Sequence, residues 1–195
     1  RLFFINNAID IPPAGKSANE LLQVFFIGRG SAQKRVHLIA AIAKQLHEKN
    51  LPVQVNFVGD VEKVMDPQQY PYCTFYGTVT DDESMNEIFR KADVLLLTSS
   101  FEGLPIVLMQ MMAYGKIVIS TAVSGIPDYI FHEQNGLLIQ ATNEADIITE
   151  GVQYIEWILA HPAQRAALGA QARKDAIAHF SRESFNHNYR KLLYI

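Results

Sequence analysis

The stretch DVLLLTSSFEGLPIVLMQMMAYGKIVIST, residues 93–121, decides the fold. Val94 to Leu97 is an apolar run too short for a helix and apolar at consecutive positions, which predicts a strand buried on both faces. Pro105 has its φ preset for the first turn of a helix, and Gly115 suits the left-handed residue that ends one. Between them IVLMQMMA is apolar on nearly every side, as in a buried helix. KIVIST then reads as a second strand.

The same alternation runs outward in both directions. VFFIG, residues 24–28, predicts a buried strand, and Val36, Ile39, Ile42, Ala43 and Leu46 fall on one helical face closed by Asn50 and Pro52. VQVNFVG predicts another strand and TFYG a short one. Thr80 and Glu83 have the spacing of a capping box, opening a helix that runs through Lys91. GLLI predicts a further short strand, and helical stretches follow from Ala145 to the end. Near that end Phe180, Phe185 and Tyr189 predict a final helix packed on the sheet. PPAGKSANE, residues 12–20, reads as an exposed loop or linker. Strict alternation of strand and helix predicts a three-layer α/β/α domain of Rossmann type, with a mostly parallel sheet and C-terminal helices, spanning residues 1–195 as one unit.

Composition agrees with that class. A chain of 195 residues that is 49% apolar can bury one α/β core. Its formal net charge of -3 offers no basic field for nucleic acid. No segment approaches the roughly 18 to 20 unbroken apolar residues of a membrane helix. Cys73, the single cysteine, can form no internal disulfide. The chain opens at Arg1 without a methionine or a signal-peptide pattern, which predicts a piece of a longer protein.

In such sheets ligands bind where strands end and loops feed helix N-termini. GRGSAQKR, after the first strand, carries Gly28, Gly30, Arg29, Lys34 and Arg35. Cations are disfavoured at the positive end of a helix dipole, so an anion could compensate them, with glycine letting a phosphate approach free backbone N–H groups. A solvated basic loop explains the same residues equally well. Gly28 and Gly30 also start a Gly-x-Gly-x-x-Gly pattern, but Gln33 holds its third place, and Asp60, which follows a glycine, lies well beyond the roughly 20 residues at which the pattern's acid is expected. An NAD-type oxidoreductase is therefore disfavoured. Glu102 follows the strand DVLLLTS just ahead of Gly103, Leu104 and Pro105, on the same sheet edge as Arg29 and Lys34. Gln110 is a polar residue within an apolar helix, either a core amide bonded to backbone or a ligand contact. Ser124 and Gly125 form a small-residue loop that is either an ordinary turn or a ligand contact.

These segments together with FVGD, VSGIPDYI and NGLLI resemble the C-terminal, donor-binding domain of retaining glycosyltransferases of family four, of GT-B architecture. The likeness runs from INNAID to HFSRESF. It implies a nucleotide-sugar donor such as a UDP- or GDP-sugar, no other cofactor and no metal. It implies that Arg29 and Lys34 clamp the donor diphosphate, that Glu102 lies near the transferred sugar, and that the position of Gln110 holds the ribose. Gln110 departs from the family's usual second glutamate and gives up a charge-assisted bond. Gly59, Gly77 and Val79 would wall the base. The partner implied is an N-terminal acceptor-binding domain of the same protein. The resemblance also allows peripheral membrane association through that half, hence a cytoplasmic place at the inner face of a membrane. A nucleotide-sugar-binding module without transfer and a GT-B epimerase remain as alternatives.

Three features are set aside. TDDE at residues 80–83 is explained by capping and the dipole rather than by metal. The 6 histidines are scattered, which suggests neither zinc nor a Ser/His/Asp arrangement. Met109, Met111 and Met112 read as core filler.

Overall fold

The computed structural model describes residues 5–13 and 19–193. The chain runs β1 (Leu22–Ile27), α1 (Val36–Glu48), β2 (Val53–Val58), β3 (Cys73–Phe75), α2 (Asp82–Lys91), β4 (Val94–Leu97), α3 (Ile106–Ala113), β5 (Ile117–Thr121), β6 (Leu137–Ile139), α4 (Glu144–Ala160), α5 (Pro162–Phe180) and α6 (Arg182–Leu193). The six strands form one sheet in the order β3-β2-β1-β4-β5-β6, and every pairing is parallel. From β1 the chain steps to β2 on one side, and from β4 to β5 on the other. Right-handed crossovers therefore put α1 on one face of the sheet and α2 and α3 on the opposite face. α4 packs against α1, and α5 against α3.

β1, β4 and β5 are buried along their whole length, as consecutive apolar residues require of strands covered on both faces. Phe25, Phe26, Leu95, Leu96 and Leu97 form the centre of the core. The predicted helix stops hold: Asn50 at φ 53° follows α1, and Gly115 at φ 70° follows α3.

Two predicted details differ. The cap of α2 is Asp81, not Thr80: its carboxylate accepts from the Ser84 backbone N–H at 2.8 Å, which leaves Asp82 and Glu83 in the first turn. A carboxylate caps at least as well as a hydroxyl, so the helix begins one residue later than the capping-box spacing implied. The final helix also does not lie on the sheet. Phe180 is buried against Tyr129, with ring centroids 5.1 Å apart. α6 has no buried residue, and Phe185 and Tyr189 stack on each other instead, at 5.8 Å. α1 with α4 and α2 with α3 and α5 already cover both sheet faces, so α6 packs on α5, with Arg182 at its start paired to Asp10 at 2.6 Å. Of the predicted loop at 12–20, residues 14–18 lie outside the described residues; Pro12, Pro13 and Asn19 are in neither helix nor strand.

Candidate active site

The strand order reverses between β1 and β4, and the loops that leave these two strands open side by side at the carboxyl edge of the sheet. One side of that edge is built from backbone. Gly28 N–H donates to Val58 O at 3.0 Å, and Gly59 N–H to Gly77 O at 2.8 Å. Gly30 N–H donates to Asp60 Oδ1 at 2.8 Å. The loops after β1, β2 and β3 are thereby stitched into one floor. Gly59 sits at φ 119°, and a Cβ there would lie 1.9 Å from Gly28 O, so no other residue fits. A Cβ on Gly30 would lie 2.6 Å from Asp60 O. Val79, half-buried, closes the far side against the core.

This floor corrects one expectation: the N–H groups of Gly28 and Gly30 serve the loops' own packing and are not free to hold a phosphate. Asp60 is held below the usual carboxylate range, chiefly by the Lys63 ammonium that bonds it and then by the Gly30 N–H. It occupies the end of β2, where a dinucleotide-binding protein carries its ribose acid, yet both its oxygens are engaged by Gly30 and Lys63.

The other side is built from side chains. Lys34 Nζ pairs with Glu102 Oε1, their side chains being 17% and 8% exposed. The Ser99 hydroxyl donates to the same carboxylate oxygen at 2.6 Å, and Thr121 Oγ1 donates to Ser99 O at 2.7 Å. Glu102 N–H donates to Ser124 Oγ at 3.3 Å, and Gly125 is pressed against Gly103, leaving a Cβ only 3.2 Å from Gly103 O. Gln33 spans the cleft, its amide donating to Phe101 O at 2.6 Å. A buried carboxylate is costly without partners, and Lys34 and Ser99 give this one a cation and a hydroxyl donor.

Lys34 and Glu102 are thus brought together as anticipated. Arg29 is exposed at the rim and makes no hydrogen bond or ion pair among the described residues. Leu104 packs on the core, and Pro105 caps α3 while accepting from Leu108 N–H at 3.1 Å. Gln110 is in neither cluster. It lies with Ile106 and Tyr114 on the face of α3 turned to α2, where Asp82, Met85 and Asn86 complete part of a groove of about 840 Å³. Its amide makes no hydrogen bond among the described residues, so it is not the backbone-bonded core amide that the apolar helix allowed. Ser99 and Thr121 were missed as parts of this assembly, and Arg35, read as one of the loop's cations facing an anion, instead spends its guanidinium on the Thr98 and Ser99 carbonyls. The signal for Ser99 was there, a hydroxyl just past a buried strand. The role of Arg35 depends on a backbone angle that no sequence pattern shows. Among the described residues no group of three His, Cys, Asp or Glu is placed to hold a metal.

Over residues 9–175 the chain matches the family described as Glycosyl transferases group 1. An uncharacterized glycosyltransferase of Methanocaldococcus jannaschii is 29% identical over 164 residues, covering 81% of this chain and 41% of that protein. A D-inositol 3-phosphate glycosyltransferase of Pseudarthrobacter chlorophenolicus is 33% identical over 160 residues, covering 76% of this chain and 37% of that protein. Among solved structures, a variant of S. aureus TarM in complex with fondaparinux, alpha-GlcNAc-glycerol and UDP is similar with a TM-score of 0.81 at 21% identity, over 99% of this chain and 39% of that one. At that identity the likeness concerns the fold. The chain spans about two-fifths of the length of these relatives.

Proposed function

The chain belongs to the glycosyl transferases of group 1, and from that premise we propose that it is the donor-binding half of an enzyme that moves a sugar from a nucleotide-sugar to an acceptor with retention of configuration. The observation that carries this is the Lys34–Glu102 pair at the point where the strand order reverses. An ammonium held in a half-buried cleft by one carboxylate is ready to exchange that partner for a more highly charged one. A donor diphosphate entering the cleft takes over Lys34, with Arg29 closing from the rim, and releases Glu102 toward the sugar. As the bond between sugar and phosphate breaks, negative charge grows on the leaving diphosphate, and two cations already in place stabilise it as a divalent metal would elsewhere.

The ribose then lies toward Gln110 in the groove between α2 and α3, and the base against Gly59, Gly77 and Val79. UDP in the TarM complex supports a nucleoside diphosphate as the common ligand of this fold. The acceptor side is assigned to a further domain of the same protein, since the chain matches only part of its relatives. No helix among the described residues is long and apolar enough to cross a membrane. A cytoplasmic place at the inner face of a membrane fits an enzyme that docks through that other domain.

A melting-temperature series with UDP, GDP and ADP tests the reading. A ligand at 100 times its dissociation constant stabilises by about 2.7 kcal/mol, a rise of roughly 5 to 11 °C for a domain of this size. One nucleoside diphosphate is expected to give such a shift without added metal, and the chain alone is expected to transfer nothing. No shift with any of them at millimolar concentration overturns the donor assignment, and turnover by this chain alone overturns the division between two halves.

A further inference from the structure

Arg35 joins the loop after β1 to the end of β4. Its φ of 46° and ψ of 45° are left-handed, a conformation that a residue with a Cβ keeps only where its surroundings enforce it. What enforces it is a reciprocal clasp with the end of β4. Arg35 Nε donates to Thr98 O at 2.7 Å and Nη2 to Ser99 O at 2.9 Å. In return Thr98 Oγ1 donates to Lys34 O at 3.2 Å and Arg35 O at 3.0 Å. Thr98 and Ser99 are fully buried, so these bonds are shielded from water.

Glycine would take the same angles without strain but could reach neither carbonyl. A guanidinium carries forked donors that match two successive carbonyl groups, and Arg35 has no carboxylate partner among the described residues. Its bonds converge on the two groups that matter. Lys34 is its chain neighbour, and Ser99, whose carbonyl it holds, bonds the Glu102 carboxylate through its hydroxyl at 2.6 Å.

We propose that Arg35 is a positioning residue: by clasping the Thr98 and Ser99 carbonyls it sets the Lys34 ammonium against the Glu102 carboxylate, and so presents Lys34 to the donor diphosphate. This rests on the reading of Lys34 as a diphosphate contact. Arg35 itself touches neither the donor nor the bond that breaks.

The test uses this chain with Arg35→Gly, which relieves the backbone angle, and Arg35→Lys, which keeps the charge but loses the fork. Two readouts are taken on each. The first is the 15N-resolved signal of the Lys34 ammonium, identified by its loss in Lys34→Ala and visible without any ligand. The second is calorimetric affinity for UDP and for uridine. Arg35→Gly is expected to bleach the ammonium signal by faster exchange and to weaken UDP by about tenfold or more while sparing uridine, as for a lost bond to a charged group. Arg35→Lys is expected to fall between Arg35→Gly and the parent. Adding Arg35→Gly to Lys34→Ala is expected to cost nothing further in UDP affinity, because Arg35 acts through Lys34. An unchanged ammonium signal with UDP affinity within about twofold overturns the proposal, as do losses that add in the double variant. If the parent chain binds neither UDP nor GDP, the donor reading falls, and the ammonium signal alone decides whether Arg35 positions Lys34.

Discussion

The loops after β1, β2 and β3 and the loop after β4 meet at one sheet edge but are made in different ways. The first group is a backbone construction: Gly28, Gly30, Gly59 and Gly77 bring three loop tips into mutual hydrogen bonding, with no room for a side chain at Gly30 or Gly59. The loop after β4 is a side-chain construction, with Glu102 held by Lys34 and Ser99 and framed by Arg35 and Thr121. Shape and charge are therefore divided between the two regions. Changes on the glycine side act on folding first. Changes on the polar side act on ligands, with smaller effects on the fold.

The largest effect expected is at Gly59. Gly59→Ala combines a left-handed angle with a Cβ 1.9 Å from Gly28 O, and should cost about 3 to 5 kcal/mol of stability. Gly77 is the control: its φ is also left-handed, at 64°, but nothing lies within 4 Å of its missing Cβ. Gly77→Ala should cost only about 1 to 2 kcal/mol. Denaturant midpoints give both values, and equal losses would show that the contact with Gly28 is not what makes Gly59 necessary.

On the polar side Lys34→Ala should weaken a nucleoside diphosphate by about 1.5 to 3 kcal/mol and leave the nucleoside alone. Glu102→Ala should do the opposite. It removes the carboxylate that competes for Lys34, so diphosphate affinity is kept or improved, while transfer by the complete protein falls by about a hundredfold or more. Stability should drop by about 1 to 3 kcal/mol, since Lys34 loses its partner in a site that is mostly shielded. Calorimetry beside a transfer assay separates the pair. If Glu102→Ala weakens the diphosphate as much as Lys34→Ala does, Lys34 and Glu102 do not compete.

Much of this was legible in the sequence, and what was not has a physical reason. Residues 93–121 read directly as strand, helix and strand because Pro105 and Gly115 mark the helix ends by backbone geometry that those residue types alone favour. The order of the strands was not legible, since strands buried on both faces carry no mark of their neighbours. Lys34 and Glu102 were found by their place after β1 and β4. Their direct pairing was not, because it joins positions 68 residues apart. The glycines were recognised but their use was misread, because a loop's N–H groups look free until the loop that consumes them is placed. α6 looked like a packing helix from Phe185 and Tyr189, yet its apolar face meets no sheet.

Gln110 offers a smaller effect, in the groove that neither region reaches. Because its amide is unbonded among the described residues, Gln110→Leu should leave the melting temperature nearly unchanged and cost on the order of 1 kcal/mol in nucleotide affinity. Gln110→Glu should keep or tighten binding, since a carboxylate makes the stronger bond to ribose hydroxyls. Unchanged affinity in a well-folded Gln110→Leu protein removes Gln110 from the site and confines binding to the edge of the sheet.

The smallest effect is at Asp60, whose carboxylate is bonded into the glycine floor. Its pKa is lowered in the folded chain, first by the Lys63 ammonium and then by the Gly30 N–H. A depressed carboxylate pKa means stability that is present above the unfolded value, near pH 4, and lost as pH falls through the folded one. Asp60→Asn keeps an oxygen for Gly30 and loses only the charge facing the exposed Lys63, so at neutral pH it should melt slightly below the parent. That gap should begin to close below about pH 4, where the unfolded chain takes up the proton, and be lost as the pH falls through the folded parent's lowered value. Melting curves of both proteins from pH 7 downward measure it. A gap that persists unchanged in acid would mean that Asp60 supports the floor through shape alone, and that the backbone side of the site owes nothing to charge.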